Sequence, residues 1–113
     1  MLFNTAWEQH TPDPIGKILS DAADAIEQHG HVKGVLRERR DSGGMCLMGA
    51  IAYASTGKAF YIQHSIAIEA VQRMGFCDCY DAVTWNNDTH TRPQEVIDRL
   101  RAAAKLPADA VTA

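Results

Sequence analysis

The sequence predicts an all-α fold, a small bundle of four main helices around a central apolar helix, with room for a short β-ribbon at 32–47. Three observations predict it. Apolar residues recur at three- and four-residue steps in several segments, the periodicity of a helix buried on one face. Capping residues and glycines bracket those segments. One stretch, Met45–Ala54, carries no charge on any face and therefore belongs at the centre of a domain.

The first helix opens at Thr11-Pro12-Asp13-Pro14, where Thr11 or Asp13 can cap the unpaired first-turn amides and a proline suits the first helical position. Ile15, Ile18, Leu19, Ala22, Ala23 and Ile26 then form one stripe, and Gly30 stops the helix. The next segment, His31 to Arg40, is followed by the turn signal Asp41-Ser42-Gly43-Gly44 and reads as an extended or hairpin-like excursion with a charged tip.

Met45–Ala54 is the central helix; its small residues Gly49, Ala50 and Ala52 let neighbouring backbones come close. A third helix runs from about Ala59 to Met74, with Ile62, Ile66, Ala70 and Met74 in one row. Phe76–Val83 reads as a connection with room for a further helical turn or two. The fourth main helix follows Trp85-Asn86-Asn87-Asp88, with Thr91 to Gln94 as its capping box and Val96, Ile97, Leu100, Ala103 and Ala104 on its apolar face.

The chain of 113 residues supports a single domain over 1–113, with residues 1–10 as an N-terminal arm and 107–113 as a fraying tail. A hydrophobic content of 46% against 22% charged residues fits a globular protein. The net charge of −3 disfavours bulk nucleic-acid binding. No apolar run approaches the roughly 20 residues that span a bilayer, and Met1-Leu2-Phe3-Asn4 lacks the pattern of a secretory signal. Three cysteines, an odd count, point to reduced thiols in a cytoplasm.

Five places hold residue types that carry chemistry. Cys46 follows Gly43-Gly44 at a helix start, where a thiolate is stabilised, and His31, His64 or His90 would be the base of a cysteine-dependent hydrolase. Its apolar neighbours favour a buried structural residue instead. Cys77 and Cys79, with His29 and His31, are the residues that would hold zinc, although the cysteine spacing departs from the usual fingers. Trp85, Asn86, Asn87 and Asp88 combine an aromatic platform with polar groups, or else cap the fourth helix. Arg37, Arg39 and Arg40 offer a basic tip, extended by Arg92, Arg99, Arg101 and Lys105, and interleaved with Glu38, Asp41, Glu95 and Asp98. Phe3 and Trp7 make the arm a surface for packing on the core, for a protein partner or for a homodimer.

Gly34-Val35-Leu36, Gly44 to Ile51 with its Cys46 and Gly49-Ala50, Trp85 to Asp88, and Glu95-Val96-Ile97 together resemble a family of small uncharacterised helical proteins from actinobacteria and their bacteriophages. In that pattern Trp-Asn-Asp often runs directly, whereas here Asn87 intervenes before Asp88. The resemblance implies a cytoplasmic setting, in a phage-infected host where the chain is phage-encoded, and it implies no activity or cofactor.

The expected function is a small non-enzymatic interaction protein that binds a host or phage macromolecule. A Cys46-dependent enzyme is the alternative, and a zinc or nucleic-acid binding module is a further one. Neither a cofactor nor a membrane is expected as a partner.

Overall fold

The computed structural model describes residues 13–37, 43–59 and 62–106. Within them lie five helices: α1 (Pro14–His29), α2 (Leu47–Thr56), α3 (His64–Arg73), α4 (Cys79–Asn87) and α5 (Pro93–Ala104). The all-α expectation holds, and α2 is the central helix, in contact with α1, α3 and α4. Phe3, Trp7, Arg39, Arg40 and the ends of the chain lie outside the described residues.

Helix α1 starts where its cap predicts. The Asp13 carboxylate accepts from the Ile15 N–H at 3.2 Å, and Pro14 occupies the first helical position. Its stripe of Ile15, Leu19, Ala22, Ala23 and Ile26 is buried, mostly against α5 and α2. From α5 the matching face is Val96, Ile97, Leu100 and Ala103. Arg101 secures the same seam at the surface, 2.8 Å from Glu27 and 3.1 Å from Asp24.

Helix α2 begins at Leu47, and Cys46 is its cap, with Sγ accepting from the Gly49 N–H at 3.3 Å. Every residue from Leu47 to Ala52 is buried, as a helix without a polar face requires.

Helix α3 is shorter than its apolar row suggested. Ile62 precedes it and Met74 caps it. The Arg73 side chain is fully buried and bonds to Asp13, which ties the end of α3 to the start of α1.

The turn or two foreseen after Phe76 is a full helix, and Trp85-Asn86-Asn87 is its last turn rather than a loop. Two contacts override the turn preference of paired asparagines. Asp78 caps α4 by accepting from the Asp81 N–H at 2.8 Å, and the Trp85 ring packs 5.5 Å from that of Phe76. The α5 capping box also falls one residue later than Thr91–Gln94. Glu95 accepts from the Arg92 N–H at 2.9 Å, while the Thr91 hydroxyl donates to the Trp85 carbonyl at 2.7 Å.

In place of a ribbon at 32–47, the described residues contain two isolated pairings, His31 with Met45 and Arg37 with Met45. Residues 31–37 form an irregular loop across the start of α2.

Candidate functional site

Asn86 organises the loop. It is 1% exposed and stands on the last turn of α4. Its Oδ1 accepts from the Leu47 N–H at 2.9 Å, a first-turn amide that has no partner within α2. The same oxygen lies 2.6 Å from His31 Nε2. The Nδ2 donates to the Val32 carbonyl at 3.3 Å and to Asn87 Oδ1 at 2.9 Å. An amide oxygen can only accept, so in this contact the His31 Nε2 is the donor.

The following residues continue the clamp. Asn87 Oδ1 accepts from the Gly34 N–H at 2.9 Å, and Lys33 Nζ donates to the Asp88 carbonyl. On the opposite side, Val32 N–H donates to Met45 O at 3.2 Å and Cys46 N–H to Leu36 O at 3.0 Å. The loop backbone is therefore bonded on one side to the end of α4 and on the other to the entry of α2.

A cavity of ≈ 130 Å³ opens between these three parts, lined by Gly34, Val35, Leu36, Cys46, Met48, Val83, Asn86 and Asn87. None of these residues is charged. Val35 is 53% exposed and Leu36 38%, so apolar side chains stand in solvent on a backbone that is held fixed. A second cavity of ≈ 250 Å³ shares Leu36 and Met48 with the first and is walled further by Ala52, Ala59, Ile62, His64, Ala67 and Cys79.

The expected site residues separate into those the fold gathers and those it does not. Asn86 and Asn87 meet Cys46 at the first cavity. Trp85 lines neither cavity; it is packed against the core beside Phe76, with the Arg99 guanidinium 4.9 Å from its ring. Asp88 turns its carboxylate to the His90 N–H at 2.8 Å. The cluster thus caps the central helix through Asn86, not the fourth main helix as the sequence suggested.

Around Cys46 no nucleophile–base pair is assembled among the described residues. Burial pushes its thiol up, against the opposing pull of the Gly49, Met48 and Cys46 amides. No imidazole lines its cavity; His31 is bonded to Asn86, His64 lines the second cavity, and His90 lies beside Asp88 at the surface. His64 does share the second cavity with Cys79, whose thiol is also pushed up, first by burial and then by the Asp78 carboxylate. A thiol held protonated is a poor nucleophile.

The zinc set is not brought together. Among the described residues no three or more His, Cys, Asp or Glu side chains are grouped to hold a metal. His29 stands edge-on to Tyr53 at 6.0 Å, and the Cys77 N–H donates to Asp81 at 3.1 Å.

Three arginines of the supposed basic patch, Arg37, Arg99 and Arg101, are engaged within the chain, whereas Arg39 and Arg40 lie outside the described residues. Arg37 donates to the Gly43 carbonyl at 3.2 Å and lies 5.2 Å over Tyr53. Arg99 sits between Phe76 at 4.0 Å and Trp85, where burial lowers its pKa. Arg101 is paired with the α1 carboxylates.

Sequence reasoning missed Val83 and Met48 as cavity walls and Val35-Leu36 as an exposed apolar pair. The available signal was two aliphatic residues in a non-helical segment beside Gly34. No described helix is long and apolar enough to cross a membrane.

A family model described as a family of unknown function (DUF6197) matches residues 10–106. No curated protein and no solved structure matches the chain.

Proposed function

The chain belongs to this family of unknown function, and from the geometry of the clamped loop we propose that it is a small non-enzymatic binding protein that docks on a protein partner through Gly34–Leu36 and the last turns of α4. We take that partner to be a host or phage macromolecule in a cytoplasm, a reading supported by the resemblance of the Gly44–Ile51 and Trp85–Asp88 motifs to actinobacterial and phage proteins.

The observation that carries this reading is the pairing of exposure with rigidity. Val35 and Leu36 are exposed aliphatic side chains, yet the main chain beneath them is bonded to Asn86, Asn87 and Cys46. A fixed backbone loses little conformational entropy on binding, so the burial of its apolar side chains is turned into affinity with less loss.

Site-specific photocrosslinking tests the proposal. p-Benzoylphenylalanine placed at position 35 should yield a discrete adduct in a lysate of the source cell. The same group at position 94, an exposed glutamine on α5, should not. Equal labelling from both positions, or none from position 35, overturns the reading.

A further inference from the structure

We infer that the ≈ 130 Å³ cavity is a socket for one uncharged aliphatic side chain of the partner, of leucine size, with the Asn87 side-chain amide holding the adjacent main-chain carbonyl. The inference rests on the binding-protein reading and specifies what the partner presents.

Size sets the first limit. An apolar cavity of about 150 Å³ accommodates a benzene molecule, so this one takes roughly four to six heavy atoms. A leucine or isoleucine side chain falls within that range, while a valine falls short of it and a tryptophan or arginine exceeds it.

Charge sets the second. No lining residue carries a charge, and burial keeps Cys46 a neutral thiol. An ionised side chain entering here would lose its water without gaining a partner.

Hydrogen-bond accounting sets the third. Asn86 has given its amide hydrogens to the Val32 carbonyl and to Asn87 and its oxygen to the Leu47 N–H, the Gly34 N–H is taken by Asn87, and the Leu36 carbonyl by Cys46. Asn87 Oδ1 is occupied twice, by Gly34 and Asn86, which leaves its Nδ2 as the amide group with hydrogens to offer. A donor at the rim selects an acceptor, and a main-chain carbonyl is the acceptor that every peptide brings beside its side chain. The approach beside Gly34 is open, since a Cβ built there would meet nothing within 4 Å.

The test is an NMR titration of the full chain with N-acetyl-leucine methylamide, and in parallel with the lysine and tryptophan analogues. Leucine should shift the Val35, Val83 and Met48 methyl signals and the Asn87 side-chain amide in a saturable way. The other two should give no saturable change at those signals. Val83→Phe, which fills the cavity, should weaken the leucine response at least tenfold. Asn87→Asp should weaken it several-fold, because it retains the acceptor for Gly34 and removes the donor; it covers the case in which Val83→Phe disturbs the fold. Equal responses to leucine and lysine, or a leucine response unchanged by both substitutions, overturns the socket. If the position 35 crosslink persists while leucine gives no shift, the socket fails and the binding-protein reading stands; loss of both overturns both.

Discussion

A Cβ placed on Gly49 would stand 2.0 Å from the carbonyl oxygen of Leu36 and 2.8 Å from its carbonyl carbon. The central helix and the loop are thus in contact backbone to backbone, and only glycine at position 49 permits it. Gly49→Ala sets two effects against each other. Alanine improves helix propensity by about 1 kcal/mol. Forcing a methyl into a filled space costs about 1–3 kcal/mol, and here the obstacle is main chain that cannot rotate away. The net result should be destabilisation in urea, with faster hydrogen exchange at the Cys46 amide, whose bond to Leu36 would be pushed apart. A more stable Gly49→Ala protein with unchanged exchange would show that the loop is not seated on α2.

Asn86 should be the most sensitive polar position. Asn86→Ala leaves the Leu47 N–H and the Val32 carbonyl without their partner and removes the acceptor for His31. Each deserted buried group costs about 1–3 kcal/mol, so a total of about 2–4 kcal/mol is expected after relaxation. In thermal melts this corresponds to a fall in Tm of roughly 10–20 °C. Hydrogen exchange at Leu47 should accelerate with it. A melting temperature within a degree or two of wild type would mean that water replaces the side chain.

The ion pair of Asp13 with Arg73 should give the protein an acid-sensitive component. Burial raises the Asp13 pKa, but the hydrogen bonds from Arg73, Gly16 and Ile15 and the charge of Arg73 outweigh it, and the carboxyl titrates below its ordinary 3.8. A depressed carboxylate contributes stability above its unfolded pKa and loses it as the pH falls through the folded one. Asp13→Asn tests this cleanly, because asparagine caps helices as well as aspartate. At pH 7 it should cost about 1.5–3 kcal/mol, the range for a hydrogen bond to a charged group. Glu69, 3.6 Å from Arg73, remains as a partial counter-charge. The two proteins should converge in stability as the pH falls through the lowered pKa of Asp13, below its ordinary 3.8. A gap that stays constant from pH 7 to pH 2 would assign the loss to packing rather than charge.

The sequence carried the helical core well because burial follows periodicity. The stripes of α1 and α5 and the uncharged α2 are written as apolar spacing, and the Asp13 cap lies next to the helix it starts. What was not legible is what joins distant segments. Asn86 is separated from His31 by 55 residues and Arg73 from Asp13 by 60. Local preference even misdirected the reading at Asn86-Asn87, where turn-forming residues end a helix that Trp85 packing holds in place. The site shows the same division. Cys46 and the asparagines were singled out by type, but their meeting point at Val35, Leu36 and Val83 depends on how α4 crosses the start of α2.

Thiol reactivity separates a binding module from a cysteine enzyme. Cys77 is exposed, Cys79 is half-buried with its thiol pushed up by burial and by Asp78, and Cys46 is buried with its thiol pushed up by desolvation. Alkylation rate follows both the thiolate fraction and access. Treatment with iodoacetamide at pH 7.5, followed by peptide mass spectrometry, should label Cys77 first, Cys79 next and Cys46 last. Cys46 should lag Cys77 by roughly tenfold or more. Its rate should keep rising with pH beyond 9.0, its ordinary pKa, instead of levelling off near neutrality. A catalytic thiol behaves in the opposite way, because a base or a helix terminus must hold it as thiolate at working pH. If Cys46 alkylates ahead of Cys77 in the folded protein, with a plateau near pH 7, then the cavity beside it is a reaction site and the aliphatic side chain assigned to it is displaced by a substrate.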